Sequence, residues 1–111
     1  MWLVTQHGFF NIVQSDDDEA KELLTIKARR REDLEDFGGI VPGGMGVIQE
    51  SEINDYRFRM KIPRECAVAA VAEMVGLVDY PKTKGRLHTT HPDRESIYLT
   101  TWFNLTDLQD G

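Results

Sequence analysis

The stretch "YRFRMKI", residues 56–62, decides the fold, because its side chains alternate strictly between two chemical kinds. A repeat of two is the period of a β-strand, whose successive side chains point to opposite faces of a sheet. The pattern therefore predicts a strand that turns its apolar side chains towards a core and its cations away from it. The apolar positions are Tyr56, Phe58, Met60 and Ile62, and the cationic ones are Arg57, Arg59 and Lys61.

A second strand with the same alternation is predicted over "ELLTIKAR", residues 22–29. Leu24, Ile26 and Ala28 fall on one face, and Thr25, Lys27 and Arg29 fall on the other. If both strands bury their apolar sides under helices, five cations line the opposite side of one sheet. This predicted cationic set is Lys27, Arg29, Arg57, Arg59 and Lys61.

The cationic set is the candidate binding site of the chain. Arg30, Arg31 and Arg64 lie just beyond the strand ends, so eight of the 13 basic residues come from two short windows of an acidic protein. Guanidinium groups recognise phosphate and carboxylate by paired hydrogen bonds. The pattern therefore predicts a surface for an anionic ligand or an acidic protein partner. The alternative is an ordinary solvated sheet face, partly neutralised if the acidic loop at residues 16–19 folds over it.

The N-terminal segment is predicted to be a hairpin. "WLVTQ" and "FFNIVQ", residues 2–6 and 9–14, favour strands, and "HG" between them can supply the positive φ of a two-residue turn. "SDDDEA", residues 15–20, is then predicted to be a solvated loop, with an acidic metal-binding loop as the alternative. It lacks the glycine and the later glutamate that an EF-hand needs at fixed offsets.

Two helices and an edge strand are predicted around the central strand. "RREDLEDF", residues 30–37, is a short helix, "GGIVPGGMG" is a loop without the lysine and hydroxyl of a P-loop, and "VIQES" is a short edge strand. Pro63 opens a second helix. This helix has Glu73 as its only interior charge and is expected to be mostly buried. Its apolar stripe consists of Ala67, Val71, Met74 and Val78, widened by Val68 and Val75.

The C-terminal segment, residues 93–109, has the composition of a strand and the spacing of a helix. Tyr98, Trp102, Leu105 and Leu108 fall on one side of a helix. The signals at its start favour the helix: Thr90 can cap it, Pro92 falls in its first turn, and acidic residues follow Pro92.

The stretch "LHTTHPDRES", residues 87–96, is the candidate metal site. His88, His91 and Asp93 are the residue types of a three-ligand catalytic zinc centre. Helix capping and solvation explain the same residues without a metal. No cofactor is indicated, and Cys66, the only cysteine, lies in an apolar run where a buried, inert thiol is expected.

Length and composition limit the function further. The chain has 111 residues, which predicts one domain over residues 1–111, and its net charge of −6 argues against generic attraction to nucleic acid or anionic membranes. A single cysteine gives no sign of an oxidising compartment. The N-terminal segment lacks the charged start and the continuous apolar stretch typical of a signal peptide, and no apolar run approaches the length of a membrane span. A soluble, cytoplasmic protein is therefore expected, with oligomerisation left open.

The chain opens with Met1-Trp2-Leu3, and contains the motifs Asp55-Tyr56-Arg57-Phe58-Arg59 and Asp79-Tyr80-Pro81. In these motifs it resembles a group of short uncharacterised bacterial proteins. The resemblance spans nearly the whole chain and implies a small α+β domain with a helical C-terminus. It implies no catalytic residues, because none of these motifs is a catalytic signature.

The sequence as a whole predicts an α+β fold. We expect an antiparallel-rich sheet of four or five strands with helices on one face, and a ferredoxin-like core entered by an extra N-terminal hairpin. The preferred function is a non-enzymatic binding or regulatory module that uses the cationic set. The alternatives are a small metal-dependent enzyme centred on residues 88–95 and a self-associating structural module.

Overall fold

The computed structural model describes residues 1–44, 46–78 and 92–110, and the chain divides into two compact units, Met1–Val78 and Asp79–Gly111. Among the described residues, the first unit contains a five-stranded antiparallel sheet and three helices, and the second contains two helices. The predicted α+β class is confirmed. The single domain over residues 1–111 stays a prediction. No helix among the described residues is long and apolar enough to cross a membrane.

Apart from a short helix in the acidic segment, the first unit follows the predicted order of elements. Its strands are β1 (Trp2–Thr5), β2 (Gly8–Val13), β3 (Leu23–Ala28), β4 (Gln49–Glu50) and β5 (Phe58–Pro63). Its helices are α1 (Asp18–Lys21), α2 (Arg31–Gly38) and α3 (Arg64–Gly76).

The strand order in the sheet is β1-β2-β3-β5-β4, and every neighbouring pair is antiparallel. Strands β3 and β4 both run against β5, so β3, α2 and β4 form a crossover with β5 inserted between its two strands. The segment from β3 to β5 therefore has the order of the first three strands of a ferredoxin-like sheet. The position of the fourth strand is taken by β2, which comes from the N-terminal hairpin.

The core lies between one face of the sheet and helices α2 and α3, which both contact β3 and β5. In the register, Phe10 pairs with Ala28, and Ile26 pairs with Met60. These alternate residues all point to the helix side, as predicted. The buried cluster consists of Phe10, Ile12, Ile26, Ala28, Leu34, Phe37, Val41, Met60, Ile62, Ala67, Ala70 and Met74.

Helix α3 is less buried than its sequence predicts. Ala67, Ala70 and Met74 enter the core, whereas Val68 and Val75 are 61% and 66% exposed. A helix that packs on a flat sheet through alanines lies close to it and buries a narrow stripe. The expectation of a mostly buried helix was therefore wrong, because the valines at the edges of the stripe lie outside the contact.

Three local predictions also need correction. The hairpin pairs Thr5 with Gly8, so its two-residue turn is Gln6-His7, and the positive φ of 140° belongs to Gly8. Pro63 ends β5 and is the N-cap residue of α3, which begins at Arg64. The acidic segment is not simply a solvated loop, because it contains α1 and buries Asp18.

The second unit confirms the predicted C-terminal helix. Helix α4 runs over Pro92–Leu105 and is followed by α5 over Asp107–Asp110. Thr100 and Thr101 each donate a hydrogen bond to the carbonyl four residues earlier, at 2.8 and 3.0 Å. This bonding satisfies the hydroxyl groups of residues whose composition favours a strand.

Candidate functional site

The candidate site is the sheet face opposite α2 and α3, which we call the second face. The register places one row of residues across it: Trp2, Asn11, Lys27, Arg59 and Gln49, each paired with the next. A neighbouring row holds Val13, Thr25 and Lys61. The alternation in the sequence therefore places Lys27, Arg59 and Lys61 together, as predicted.

Two cations of the predicted set have carboxylate partners. The Nε of Arg57 lies 2.7 Å from the Oε1 of Glu50, and its guanidinium lies 5.7 Å from the centre of the Phe58 ring. Glu50 and Phe58 are cross-strand partners in the row that faces the helices. These contacts hold Arg57 at the sheet edge, away from Lys27 and Arg59. Arg57 lies before the start of β5, so it is outside the regular alternation of that strand.

Lys61 is neutralised by the acidic segment, as the sequence suggested it could be. Its Nζ lies 2.5 Å from the Oδ1 of Asp18, a carboxylate with no solvent exposure. The other oxygen of Asp18 accepts hydrogen bonds from the backbone N–H of Ser15 at 2.8 Å and from the Oγ1 of Thr25 at 2.7 Å. We call Ser15, Asp18, Thr25 and Lys61 the Asp18 cluster.

The charge state of the Asp18 cluster follows from these contacts. Burial raises the pKa of Asp18, since it disfavours the charged carboxylate. The hydrogen bond from Lys61 and those from Ser15 and Thr25 lower the pKa by more, so the net shift is below the ordinary value. The carboxylate is therefore ionised at neutral pH, and it fixes α1 over one end of the second face.

Lys27 and Arg59 differ from the neutralised cations. They face each other on β3 and β5, and neither forms an ion pair with any described residue. Both are half-buried. The Nε of Arg59 is shielded from solvent and has no hydrogen-bond partner within residues 1–44, 46–78 and 92–110. Like charges directly opposite each other in a sheet are destabilising, and an unsatisfied buried donor adds to that cost.

An aromatic cluster lies beside this pair. Phe9 stacks on Tyr56 with ring centres 6.4 Å apart, and Trp2 meets Phe9 edge to face at 6.2 Å. The guanidinium of Arg29 lies 4.6 Å from the centre of the Tyr56 ring, and its Nη1 donates to the backbone carbonyl of Asp55 at 3.0 Å. Arg29 has no carboxylate partner in the part of the chain that the structure describes.

The position of Tyr56 corrects the sequence prediction. Alternation assigned Tyr56 to the core side with Phe58, but β5 begins only at Phe58. Phe9 pairs with Val4 and alternates with Phe10, so it belongs to the second face. Its stack with Tyr56 places that ring there too. The repeat of two holds only within a regular strand.

Two features of the site were not predicted. Nothing in the sequence distinguishes Asp18 from the three acidic residues around it, so its burial could not be predicted. Its partners Thr25 and Lys61 do alternate onto the same face. The aromatic cluster required Tyr56 to leave the strand pattern. Asn54 and Asp55, both residue types that are common in turns, were the available signs that the strand starts late.

The predicted metal site is not in the part of the chain that the structure describes, since His88, His91 and the side chain of Asp93 lie outside it. Within the described residues there is no group of three or more histidine, cysteine, aspartate or glutamate side chains arranged to hold a metal ion.

Comparison of the chain with protein-family models, with curated proteins and with solved structures found no match. The site is therefore interpreted from its own geometry.

Proposed function

We propose that the protein is a non-enzymatic binding module, whose second face binds an anionic group between Lys27 and Arg59. The observation that supports the proposal is the cross-strand pairing of these two cations without a carboxylate among the described residues. Carboxylates outnumber basic residues in this acidic chain, and two of them neutralise Arg57 and Lys61 nearby. An external phosphate or carboxylate would therefore gain the most electrostatic energy by binding to Lys27 and Arg59.

The chemistry of the pair fits such a ligand. A guanidinium offers two parallel hydrogen bonds to a phosphate or carboxylate, and an ammonium adds a compact charge. The half-buried stems of Lys27 and Arg59 hold the charged groups close to the sheet, where water screens them less. A bound anion would remove the repulsion between them and could accept a bond from the shielded Nε of Arg59.

The test is stabilisation by small anions. Inorganic pyrophosphate and a polyglutamate peptide should each raise the melting temperature of the wild-type protein at low salt. The double variant Lys27→Gln and Arg59→Gln should lose that response. A matched control, Lys21→Gln with Arg31→Gln, removes the same charge from exposed helical positions and should retain it. Equal responses in the two double variants would refute the proposal.

Arg57→Gln is a second control within the predicted cationic set. Because Arg57 is already paired with Glu50 at the sheet edge, this variant should respond to pyrophosphate like the wild type. A loss as large as that of Arg59→Gln would mean that Arg57 belongs to the site.

Self-association is a second candidate function, supported by the outer strand β1. This edge strand exposes Trp2 by 72% and Val4 by 53%, and unpaired edges with apolar side chains favour pairing with another chain. Sedimentation equilibrium of the wild type and of Val4→Lys tests it. A monomer at all concentrations would refute it.

A further inference from the structure

The second face combines unpaired cations with exposed aromatic surface, and this combination narrows the class of ligand. We propose that the face binds single-stranded nucleic acid, with a base stacked on Trp2 and backbone phosphates on Lys27 and Arg59. The inference rests on the proposed anion-binding function and goes beyond it, because it names the ligand.

The row of residues across the second face has a spacing that suits such a ligand. Trp2 and Lys27 are separated by one strand, that of Asn11, so they lie about 10 Å apart at the usual strand spacing. A flat platform and a cation at this separation match a ligand that alternates planar rings with charged groups. Asn11, between them, has an amide that can both donate and accept at a base edge.

The aromatic cluster is open to solvent at Trp2. The side chain of Trp2 is 72% exposed and meets Phe9 edge to face, and Phe9 in turn stacks on Tyr56. Stacking on aromatic side chains binds bases irrespective of their sequence, and guanidinium planes serve the same purpose. Arg29, exposed and held over Tyr56, can supply such a plane as well as a third charge.

Other anionic ligands would use less of this surface. An acidic peptide would use Lys27 and Arg59 but would leave Trp2 and the Arg29–Tyr56 stack without a role. An anionic membrane would meet three unpaired cations on a chain of net charge −6, too little attraction for a surface. A long duplex would require many phosphate contacts. A short single strand needs only a few phosphates and gains the rest of its affinity from stacking.

The experiment is fluorescence anisotropy with a labelled oligothymidylate of eight nucleotides. An abasic oligomer of the same length and charge is the matched probe. The wild type should bind the base-bearing strand about tenfold more tightly than the abasic one, the loss expected when one stacked base is removed. The affinity should fall with salt with a log–log slope of about −2, since three cations each contribute about 0.7 on a single strand.

The variants separate stacking from charge. Trp2→Ala should reduce affinity for the oligothymidylate about tenfold and leave the salt slope unchanged, whereas Trp2→Phe should retain most of the binding. Trp102→Ala removes another exposed tryptophan and should have no effect. Lys27→Gln with Arg59→Gln should weaken both oligomers and make the slope shallower by about 1.4.

Equal affinity for the two oligomers, or no loss in Trp2→Ala, would overturn the nucleic-acid inference. If pyrophosphate or polyglutamate still bound and depended on Lys27 and Arg59, the proposed function would stand without it. Preference for polyglutamate over the oligothymidylate would likewise replace nucleic acid by an acidic peptide. Failure of all these anions to bind would overturn both proposals together.

Discussion

The Asp18 cluster gives the sharpest prediction about stability, and the change is Asp18→Asn. The carboxylate accepts three hydrogen bonds, from Lys61, Ser15 and Thr25, and is fully buried. An asparagine keeps the shape but has only one oxygen, so its amino group must face either the ammonium of Lys61 or the two donors on the other side. At least one buried donor is therefore left without an acceptor.

The expected loss is about 2–3 kcal/mol of unfolding free energy. Breaking a fully buried ion pair costs about 3–5 kcal/mol. Lys61 is 38% exposed, so its ammonium can regain water, which reduces the cost below that range. A chain of this size has a total stability of about 5–15 kcal/mol. The variant should therefore fold but melt roughly 10 °C or more below the wild type.

The assay is urea denaturation followed by circular dichroism, with Asp17→Asn as the matched control. Asp17 is the neighbouring residue, is exposed, and makes no capping hydrogen bond through its side chain. The control should stay within about 0.5 kcal/mol of the wild type, as surface substitutions usually do. If Asp18→Asn destabilised the protein no more than Asp17→Asn, the cluster would not hold α1 on the sheet.

The same cluster predicts a pH dependence with a definite sign. The pKa of Asp18 is lower in the folded protein than in the unfolded chain, where it is about 3.9. The unfolded chain therefore takes up the proton first as pH falls, and the stabilisation is lost in that direction. The gap between the wild type and Asp18→Asn should be constant from pH 7 to about 5 and shrink below about 4. A gap that grew on acidification would contradict this assignment.

Three further predictions concern the sheet. Gly8→Ala should cost about 3 kcal/mol in urea denaturation, because φ is 140° and a Cβ would lie 2.4 Å from the Cγ of Asp33; Gly43→Ala, with φ 82° but open space, should cost about 1 kcal/mol. Lys27→Gln should raise stability by a few tenths of a kcal/mol at low salt, because it removes a like charge opposite Arg59, and a loss of stability would show that the lysine mainly covers the sheet. Glu50→Gln should change the free energy of unfolding, measured by urea denaturation, by less than about 0.5 kcal/mol, because its ion pair with Arg57 is exposed. A larger change would mean that the pair anchors β4.

The fold was predictable where a periodic pattern coincided with a regular element. The alternation in residues 24–28 and 58–62 placed β3 and β5, and it correctly separated their core side from Lys27, Arg59 and Lys61. The same reasoning failed at Tyr56, because the backbone leaves the strand between Tyr56 and Phe58. A repeat read from the sequence carries no information about where the hydrogen-bonded ladder stops.

The sequence predicts which cations lie in the candidate site, but it does not predict which carboxylates neutralise them. Sequence spacing places side chains on faces, whereas ion pairs depend on which loops return over those faces. Glu50 lies seven residues before Arg57 and Asp18 lies 43 before Lys61, so neither pair follows from local spacing. The sequence allows the acidic segment to fold over this face, and Asp18 is its residue that does so, because its side chain meets both Thr25 and Lys61.

The net charge of −6 does not weigh against the second face as strongly as the sequence alone indicated. At physiological ionic strength, charges more than about 8 Å apart are largely screened, so a ligand on the sheet responds mainly to the groups it approaches. Those groups are Lys27, Arg29 and Arg59, while Asp18 and Glu50 are occupied by Lys61 and Arg57. The excess of carboxylates elsewhere slows the approach of a polyanion, which affects the association rate more than the stability of a bound, stacked strand. A protein can therefore be acidic overall and still bind an anion, provided that its own carboxylates are kept away from one pair of cations.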